Sequence, residues 1–168
     1  MGPRGMTDGL HIRPGAPGDA EAIAGMLAAL ADELGESGRC FSTPQTVRRD
    51  GFGPDAAFTC LLAVREAEPL GLALFLRYYS THRAAAGVYV QDLWVAPAER
   101  SRRLGERLLH AAASFGAAQW GAAFLQLTVH DSNSAAMRFY ERLGFALHGD
   151  RPMSVTGEAF KAMAGRHA

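Results

Sequence analysis

The stretch APAERSRRLGERLL, residues 96–109, decides how the chain around it is organised. It follows the apolar run GVYVQDLWVA (87–96), which has the composition of a buried strand. Beyond it the apolar period changes from that of a strand to that of a helix. A strand, a tight turn and a helix start together present free backbone N–H groups at the positive end of the helix dipole. The helical stripe consists of Leu104, Leu108, Ala112 and Phe115.

Four arginines crowd this helix start, although the dipole disfavours each cation there by roughly 0.3–1 kcal/mol. A solvated charged face is the simpler interpretation of such a run. An anion on the turn would satisfy both the N–H groups and the guanidinium groups, and phosphate is the obvious candidate. We therefore favour an anion site. The arginines are Arg100, Arg102, Arg103 and Arg107, and their acidic neighbours are Glu99 and Glu106.

The remaining segments predict an α/β domain with a mixed sheet. LHIRPG indicates a short strand, and Asp19 is the expected N-cap of the helix that follows it. A second helix begins at Thr43–Pro44. Two apolar runs separated by residues 67–69 indicate a hairpin. After the arginine turn come a strand in AAFLQLTVH, a helix capped by Ser132 or Asn133, two segments that would close the sheet (FALHGD and PMSVT) and a last helix near EAFKAM.

Composition restricts the function classes. The chain has 168 residues and a formal net charge of zero, so no overall field favours nucleic acid or an anionic membrane. Its two cysteines have neither disulfide-framework nor metal-ligand spacing, and we expect no metal. It shows neither a membrane-spanning run nor a signal peptide, which favours the cytoplasm. We expect a disordered N-terminus over residues 1–9 and a single domain over residues 10–168.

Two motifs carry a family resemblance. LWVAPAERSRRLGERLLHAA resembles motif A of the GNAT superfamily of acetyl-CoA-dependent N-acetyltransferases, whose usual form is Arg/Gln-x-x-Gly-x-Gly/Ala. NSAAMRFYERLGF, from Asn133 to Phe145, matches the motif B pattern Asn-x-x-Ala-x-x-Phe-Tyr-x-x-x-Gly-Phe in full. RRDGFGPDAAFTCLLAV, ALFLRYYST and VYVQDLWV are similar to the spermidine/spermine branch, the diamine acetyltransferases. This resemblance covers about Ile12 to Met163.

The resemblance implies a GNAT fold, with a mixed, mostly antiparallel sheet flanked by helices, and acetyl-CoA as co-substrate. The backbone of the arginine turn would cradle the pyrophosphate. The pantetheine arm would lie along the strand that ends at Val95, where it splays from the next strand, and motif B would complete the groove. The cofactor-binding residues implied in this way are Leu93, Trp94, Val95, Arg100, Arg102, Arg103, Leu104, Gly105, Glu106, Asn133, Ala136 and Phe139.

The chain departs from motif A at one position. Arg103 stands where the motif has its first glycine, and Gly105 alone is kept. Glycine allows phosphate to approach the backbone and tolerates a positive φ. Arg103 would therefore either block that approach, or keep the turn right-handed and reach a phosphate with its own guanidinium.

Acetyl transfer to an amine requires a neutral amine, a held oxyanion and a proton for the departing thiolate. The resemblance assigns the general acid to Tyr140; by spacing alone, Tyr140 would be an ordinary core residue. It also implies an oxyanion contact with the backbone near Val95. Gln91 and Asp92 would face the amine. The polyamine enzymes have Glu-Asp where this chain has Gln-Asp, which makes spermidine a less favoured acceptor.

Glu33, near the end of the first helix, is a further substrate-binding candidate, although a solvated helix end explains it equally well. His130 and Asp131 are weaker candidates for relaying a proton or contacting the substrate. We expect direct transfer to a primary amine of a small molecule (a diamine, a polyamine or a lysine-like amino acid) by a homodimer. An acetyltransferase for protein or aminoglycoside amines stays open. A non-catalytic acyl-CoA-binding module, supported by Arg103, stays open as well.

Overall fold

The computed structural model describes residues 9–165. They fall into two compact units, within residues 1–130 and 131–168. All but Gly9 of the predicted disordered N-terminus lies outside the described residues. No helix in the described part of the chain is long and apolar enough to cross a membrane.

The first unit is built on one five-stranded sheet whose strand order follows the chain. The first four strands pair antiparallel, and the fifth runs parallel to the fourth. This mixed, mostly antiparallel sheet with helices confirms the predicted fold class. The strands are β1 (His11–Pro14), β2 (Thr59–Arg65), β3 (Glu68–Ser80), β4 (Ala85–Val95) and β5 (Phe124–Leu127).

Three helices belong to this unit: α1 (Ala20–Glu33), α2 (Pro44–Gly51) and α3 (Leu104–Trp120). Because side chains alternate along a strand, the sheet has two apolar faces. One face buries Leu62, Leu72 and Leu74 in a core with Ile23 of α1. On the other face, Phe75 meets Phe115 of α3 edge to face, with ring centroids 5.5 Å apart.

The second unit contains two helices, α4 (Ser134–Arg142) and α5 (Gly157–Ala164). Asn133 caps α4, since its side-chain oxygen accepts from the N–H of Ala136 at 3.1 Å. Of the two predicted caps, Asn133 is thus the correct one. The helix predicted near EAFKAM is α5.

The prediction that FALHGD and PMSVT close the sheet is wrong, whereas the strand predicted in AAFLQLTVH is present as β5. Residues 145–156, which include FALHGD and PMSVT, form no strand, and the sheet is not closed there. Gly149, Asp150 and Pro152 interrupt this stretch, and all three residue types are depleted in strands. The strand in AAFLQLTVH is short because its pairing stops opposite Val90, just before an irregularity in β4.

The β2–β3 hairpin is confirmed, but its turn differs from the prediction. Glu66 and Ala67 alone form the turn, both at positive φ (48° and 71°), and Glu68 and Pro69 already belong to β3. Two central residues at positive φ characterise the turn that best matches strand twist.

Both predicted N-cap residues stand at the predicted helix starts, but only one of them makes a capping bond. Thr43 caps α2 as predicted, accepting from the N–H of Thr46 at 3.2 Å. Asp19 stands at the N-cap position of α1 but makes no capping bond to it. A 3₁₀ turn places Asp19 in a helical conformation, and its carboxylate binds Arg13 and the N–H of Ala16 instead.

Candidate active site

A β-bulge marks the middle of β4. Phe75 pairs with Val90 and Leu74 pairs with Asp92, which leaves Gln91 as an extra residue without a partner on β3. A bulge interrupts the alternation of side chains along a strand. Gln91 and Asp92 consequently line the same cavity although they are adjacent in sequence.

The same bulge marks the point where β4 parts from β5. Their pairing ends at Val90 and Leu127, whereas β4 continues to Val95. Leu93, Trp94 and Val95 pair with β3 on one side and have no β5 partner on the other. This edge of β4 therefore has no neighbouring strand, and it is the edge to which the family resemblance assigns the pantetheine arm.

A cavity of about 490 Å³ lies beside the bulge, within the first unit. Its apolar wall comes from the C-terminal half of α1, from Phe58 and from β3. Polar side chains enter it from the α1–α2 connection, from α2 and from β4. The apolar group includes Leu27, Leu30, Leu34, Phe58, Leu74 and Leu76; the polar group includes Glu36, Arg39, Asp50, Gln91 and Asp92.

Asp92 is the unpaired carboxylate of this cavity. No hydrogen bond or ion pair joins the carboxylate of Asp92 to another residue between 9 and 165, and burial raises its pKa to about 6. A desolvated carboxylate without a cation favours its protonated form, and a ligand cation would reverse this preference. Asp92 can therefore receive a proton or hold an ammonium group near neutral pH.

The other two carboxylates already have partners. Asp50 receives two bonds of 2.6 Å from the guanidinium of Arg49, which holds the pKa of Asp50 below its usual range. Glu36 lies 3.7 Å from Arg39 Nη1 and 3.8 Å from His130 Nε2. These carboxylates are thus less available to a ligand than Asp92.

Glu33 and Arg100 face each other rather than a ligand. Arg100 Nη2 contacts the two carboxylate oxygens of Glu33 at 2.7 and 2.8 Å, and its Nε donates to the carbonyl of Val95. Glu33 also accepts from the indole N–H of Trp94 at 3.0 Å. These bonds tie the end of α1 to the end of β4, and the predicted ligand roles of both charged residues stay predictions.

The arginine turn adopts a left-handed backbone at two residues that are not glycine. Ser101 has φ 65° and Arg103 has φ 59°, so the turn has the positive φ that a motif glycine would supply. The guanidinium of Arg103 folds back onto Glu106 at 2.7 and 2.8 Å. This arrangement differs from the right-handed turn that was one of the two expectations for Arg103. The φ is positive, and the guanidinium is bonded to a neighbouring carboxylate rather than pointing freely toward a ligand.

The backbone of this turn has unused donors. Within the described residues no hydrogen bond takes up the N–H of any residue from 101 to 106. Leu104, Gly105 and Glu106 form the first turn of α3, and the side chain of Leu104 is buried beneath it. The N–H groups at a helix start are suited to a phosphate, and the prediction that they bind one stays open.

Most of the arginine charge is balanced by glutamates. Glu99 is 6% exposed and receives two bonds from Arg65 at 2.8 and 3.0 Å, which lower its pKa; Arg102 lies 3.6 Å away. Arg107 donates to the carbonyl of Leu10 at 3.4 Å. The sequence argument had only Glu99 and Glu106 to offset the four arginines and missed Glu33, which lies 67 residues from Arg100.

Motif B lies in the second unit. The ring of Tyr140 on α4 is 5.1 Å from that of Phe139 and 5.4 Å from that of Phe145. Burial raises the pKa of Tyr140 and keeps the phenol protonated at neutral pH. Asn133 and Ala136 form the cap of the same helix, and their binding roles, like that of Phe139, stay predictions.

Sequence reasoning missed part of the cavity. Arg39 and Cys40 in the α1–α2 connection and Asp50 near the end of α2 were not singled out as site residues, because only the tertiary fold brings them to one cavity. Cys60 was expected in the core; it is buried, and desolvation raises the pKa of its thiol to about 12. Within the described residues, no group of three or more His, Cys, Asp or Glu side chains is arranged to hold a metal ion.

Comparisons with known proteins agree with this architecture. Residues 27–145 match the model of the acetyltransferase (GNAT) family. The chain is 28% identical to a thialysine N-epsilon-acetyltransferase from Bos taurus, over 92% of this chain and 97% of that protein. It is 30% identical to a streptothricin acetyltransferase from Streptomyces lavendulae, over 94% of this chain and 91% of that protein.

The fold also has neighbours among solved structures. An integron cassette protein from the mobile metagenome of V. cholerae superposes with a TM-score of 0.77, covering 94% of this chain and 98% of that one. The two sequences are 18% identical, so this likeness concerns the fold alone.

Proposed function

The chain belongs to the GNAT family of acetyl-CoA-dependent N-acetyltransferases, and from this premise we propose that it acetylates a primary amine of a small molecule. The candidate acceptors are diamines, polyamines and lysine-like amino acids. One observation carries the proposal: the unpaired carboxylate of Asp92 lines a cavity with a leucine-rich wall, next to the open edge of β4. An amine with an aliphatic arm suits such a cavity. The names of the relatives, which acetylate thialysine and streptothricin, support a small acceptor.

Acetyl-CoA, when bound, supplies an acetyl thioester. The N–H groups of residues 101–106 would hold its phosphates, and the unpaired edge of Leu93, Trp94 and Val95 would hold its extended arm. These groups fit the ligand because the N–H groups lack acceptors within the described residues and that edge of β4 lacks a neighbouring strand. Gly105, Asn133, Ala136 and Phe139 join this proposal from the motifs.

The transfer is direct, with no covalent intermediate on the protein. The amine nitrogen bonds to the thioester carbon, the carbon–sulfur bond breaks, and the sulfur takes the phenolic proton of Tyr140. The amine loses its proton to the carboxylate of Asp92, beside Gln91. A backbone N–H near Val95 stabilises the oxyanion. Solvent then returns a proton to Tyr140.

The test is thiol release from acetyl-CoA against a panel of amines near pH 8. The panel contains spermidine, short diamines, thialysine, lysine, an aminoglycoside and a peptide N-terminus. We expect turnover with small aliphatic amines, and mass spectrometry to show acetyl on the amine. Asp92→Asn should remove most of this turnover, while Asp55→Asn, an exposed carboxylate outside the cavity lining, should keep it.

A non-catalytic acyl-CoA-binding module is the alternative that Arg103 raises. Acetyl-CoA binding without thiol release across the whole panel would favour it. We further propose that residues 10–168 act as one domain and that the protein is a homodimer, as the family resemblance implies. Light scattering on the eluting protein tests the homodimer, and a monomeric mass would contradict it.

A further inference from the structure

The charges that line the cavity distinguish between kinds of amine. Four charged side chains reach the cavity: Glu36, Arg39, Asp50 and Asp92. Asp50 is paired with Arg49, and Glu36 lies near Arg39 and His130. Asp92 alone has no partner among the described residues. The cavity therefore offers one free anionic partner for a cation.

The rest of the cavity does not favour a second cation. Arg39 enters it from the 3₁₀ turn that follows α1, and its side chain is 81% exposed. Its one ionic contact, 3.7 Å from Nη1 to Glu36, leaves other N–H donors of the guanidinium open to an anion, and the charge of Arg39 would repel a nearby ammonium group. The wall near α1 and β3 is leucine-rich. An ammonium group placed against this wall would lose its water without gaining a partner.

We propose that the acceptor carries one amine, held at Asp92, on an apolar stem whose far end is neutral or anionic, and that Arg39 selects for this far end. This inference rests on the proposed function and narrows its acceptor. A polyamine fits poorly, because its second ammonium group would find aliphatic side chains or the guanidinium of Arg39. An ω-amino acid fits well, because its carboxylate gives Arg39 a partner.

Three six-carbon probes isolate the far end of the acceptor: 6-aminohexanoate, hexylamine and 1,6-diaminohexane. They share the reacting amine and the stem and differ in whether the other end is anionic, neutral or cationic. We expect kcat/KM to be at least about tenfold higher for 6-aminohexanoate than for 1,6-diaminohexane, with hexylamine between them.

Variants at Arg39 connect this order to the structure. Arg39→Gln should reduce the difference between the two extreme probes to about threefold or less, and Arg39→Glu should favour the diamine. Arg48→Gln is the matched control, since Arg48 is an exposed arginine of α2 paired with Glu21 and outside the cavity lining. This control should leave the order unchanged.

The results separate this inference from the proposed function. Equal or better turnover of the diamine by the unmodified protein, or an order that Arg39→Glu does not change, would overturn the inference and leave the acetyltransferase activity intact. If no amine on any panel releases thiol, the proposed function fails. Calorimetric binding of the three probes with coenzyme A present then decides the inference, and equal affinities would overturn it.

Discussion

Arg103 stands at the first glycine position of motif A and has a left-handed backbone conformation, which is unfavourable for a residue with a side chain. A residue with a Cβ in the left-handed region costs roughly 1–2 kcal/mol more than in the right-handed one. The turn nevertheless holds Arg103 at φ 59° and Ser101 at φ 65°. The bonds from Arg103 to Glu106 do not remove this backbone strain, since they form between exposed side chains.

Replacing Arg103 by glycine should relieve that strain. We expect Tm of Arg103→Gly to be about 2–4 °C above that of Arg102→Gly, because Arg102 is not at positive φ. Differential scanning calorimetry of the two variants measures this difference. A lower Tm for Arg103→Gly than for Arg102→Gly would contradict the backbone strain inferred for Arg103. Acetyl-CoA affinity of the same variant shows whether the arginine side chain helps or hinders phosphate binding.

Asp92 predicts a pH-dependent stability. Its folded pKa of about 6 lies above the ordinary value of 3.8, so between these pH values the folded state binds the proton more tightly than the unfolded state. Stability from this group is present below about pH 4 and is lost as pH rises through 6. Asp92→Asn should therefore be more stable than the unmodified protein by about 3 kcal/mol at pH 8, and about equal at pH 4. Urea unfolding at both pH values tests this, and an equal difference at both would contradict it.

At the scale of elements, Glu33 connects α1 to β4, because its carboxylate accepts hydrogen bonds from Trp94 and Arg100. Glu33→Gln should lower the free energy of unfolding by about 0.5–1 kcal/mol, since the side chains are half-exposed. It should also speed hydrogen exchange at the end of β4, near Val95. Glu21→Gln is the matched control. Glu21 also lies on α1 and pairs with an arginine, but that arginine belongs to α2 and not to the turn after β4. Faster exchange near Val95 in both variants would contradict a specific link.

Gly116 allows α3 to pack closely on β4. A Cβ at this position would overlap Val88. Gly116→Ala should therefore destabilise the protein by about 1–3 kcal/mol despite the better helix propensity of alanine. Gly25→Ala in α1 meets nothing within 4 Å and should stabilise by about 0.5–1 kcal/mol. Chemical denaturation compares the two, and equal effects would show that α3 can shift without cost.

Local patterns in the sequence predicted much of this architecture. The strand–turn–helix around residues 87–115, the Thr43 cap and the β2–β3 hairpin follow from spacing and capping chemistry within a few residues. The bulge at Gln91 could not be predicted in this way, because it is defined by pairing with β3. The contact of Glu33 with Arg100 joins residues 67 apart and was missed for the same reason.

The first unit as a whole places a desolvated carboxylate beside an open strand edge. The sheet order brings β4 next to β3 on one side and leaves its last residues without β5 on the other. Helix α1 and its C-terminal connection cover the bulge and form the cavity wall. The family is that of the N-acetyltransferases, and the amine site at Asp92 and the acid role of Tyr140 are the proposals that complete the account.

The central claim is that the protein transfers acetyl directly from acetyl-CoA to a bound amine, with Tyr140 as the general acid. Replacing Tyr140 by phenylalanine tests this claim most directly. The measurement is the single-turnover rate of acetyl transfer to 6-aminohexanoate, with calorimetric binding of acetyl-CoA alongside and Tyr79→Phe, an exposed tyrosine, as control. We predict a rate lower by about 10²–10⁴ for Tyr140→Phe with acetyl-CoA affinity unchanged, and an unchanged rate for the control. An undiminished rate for Tyr140→Phe would contradict the assignment of the general acid.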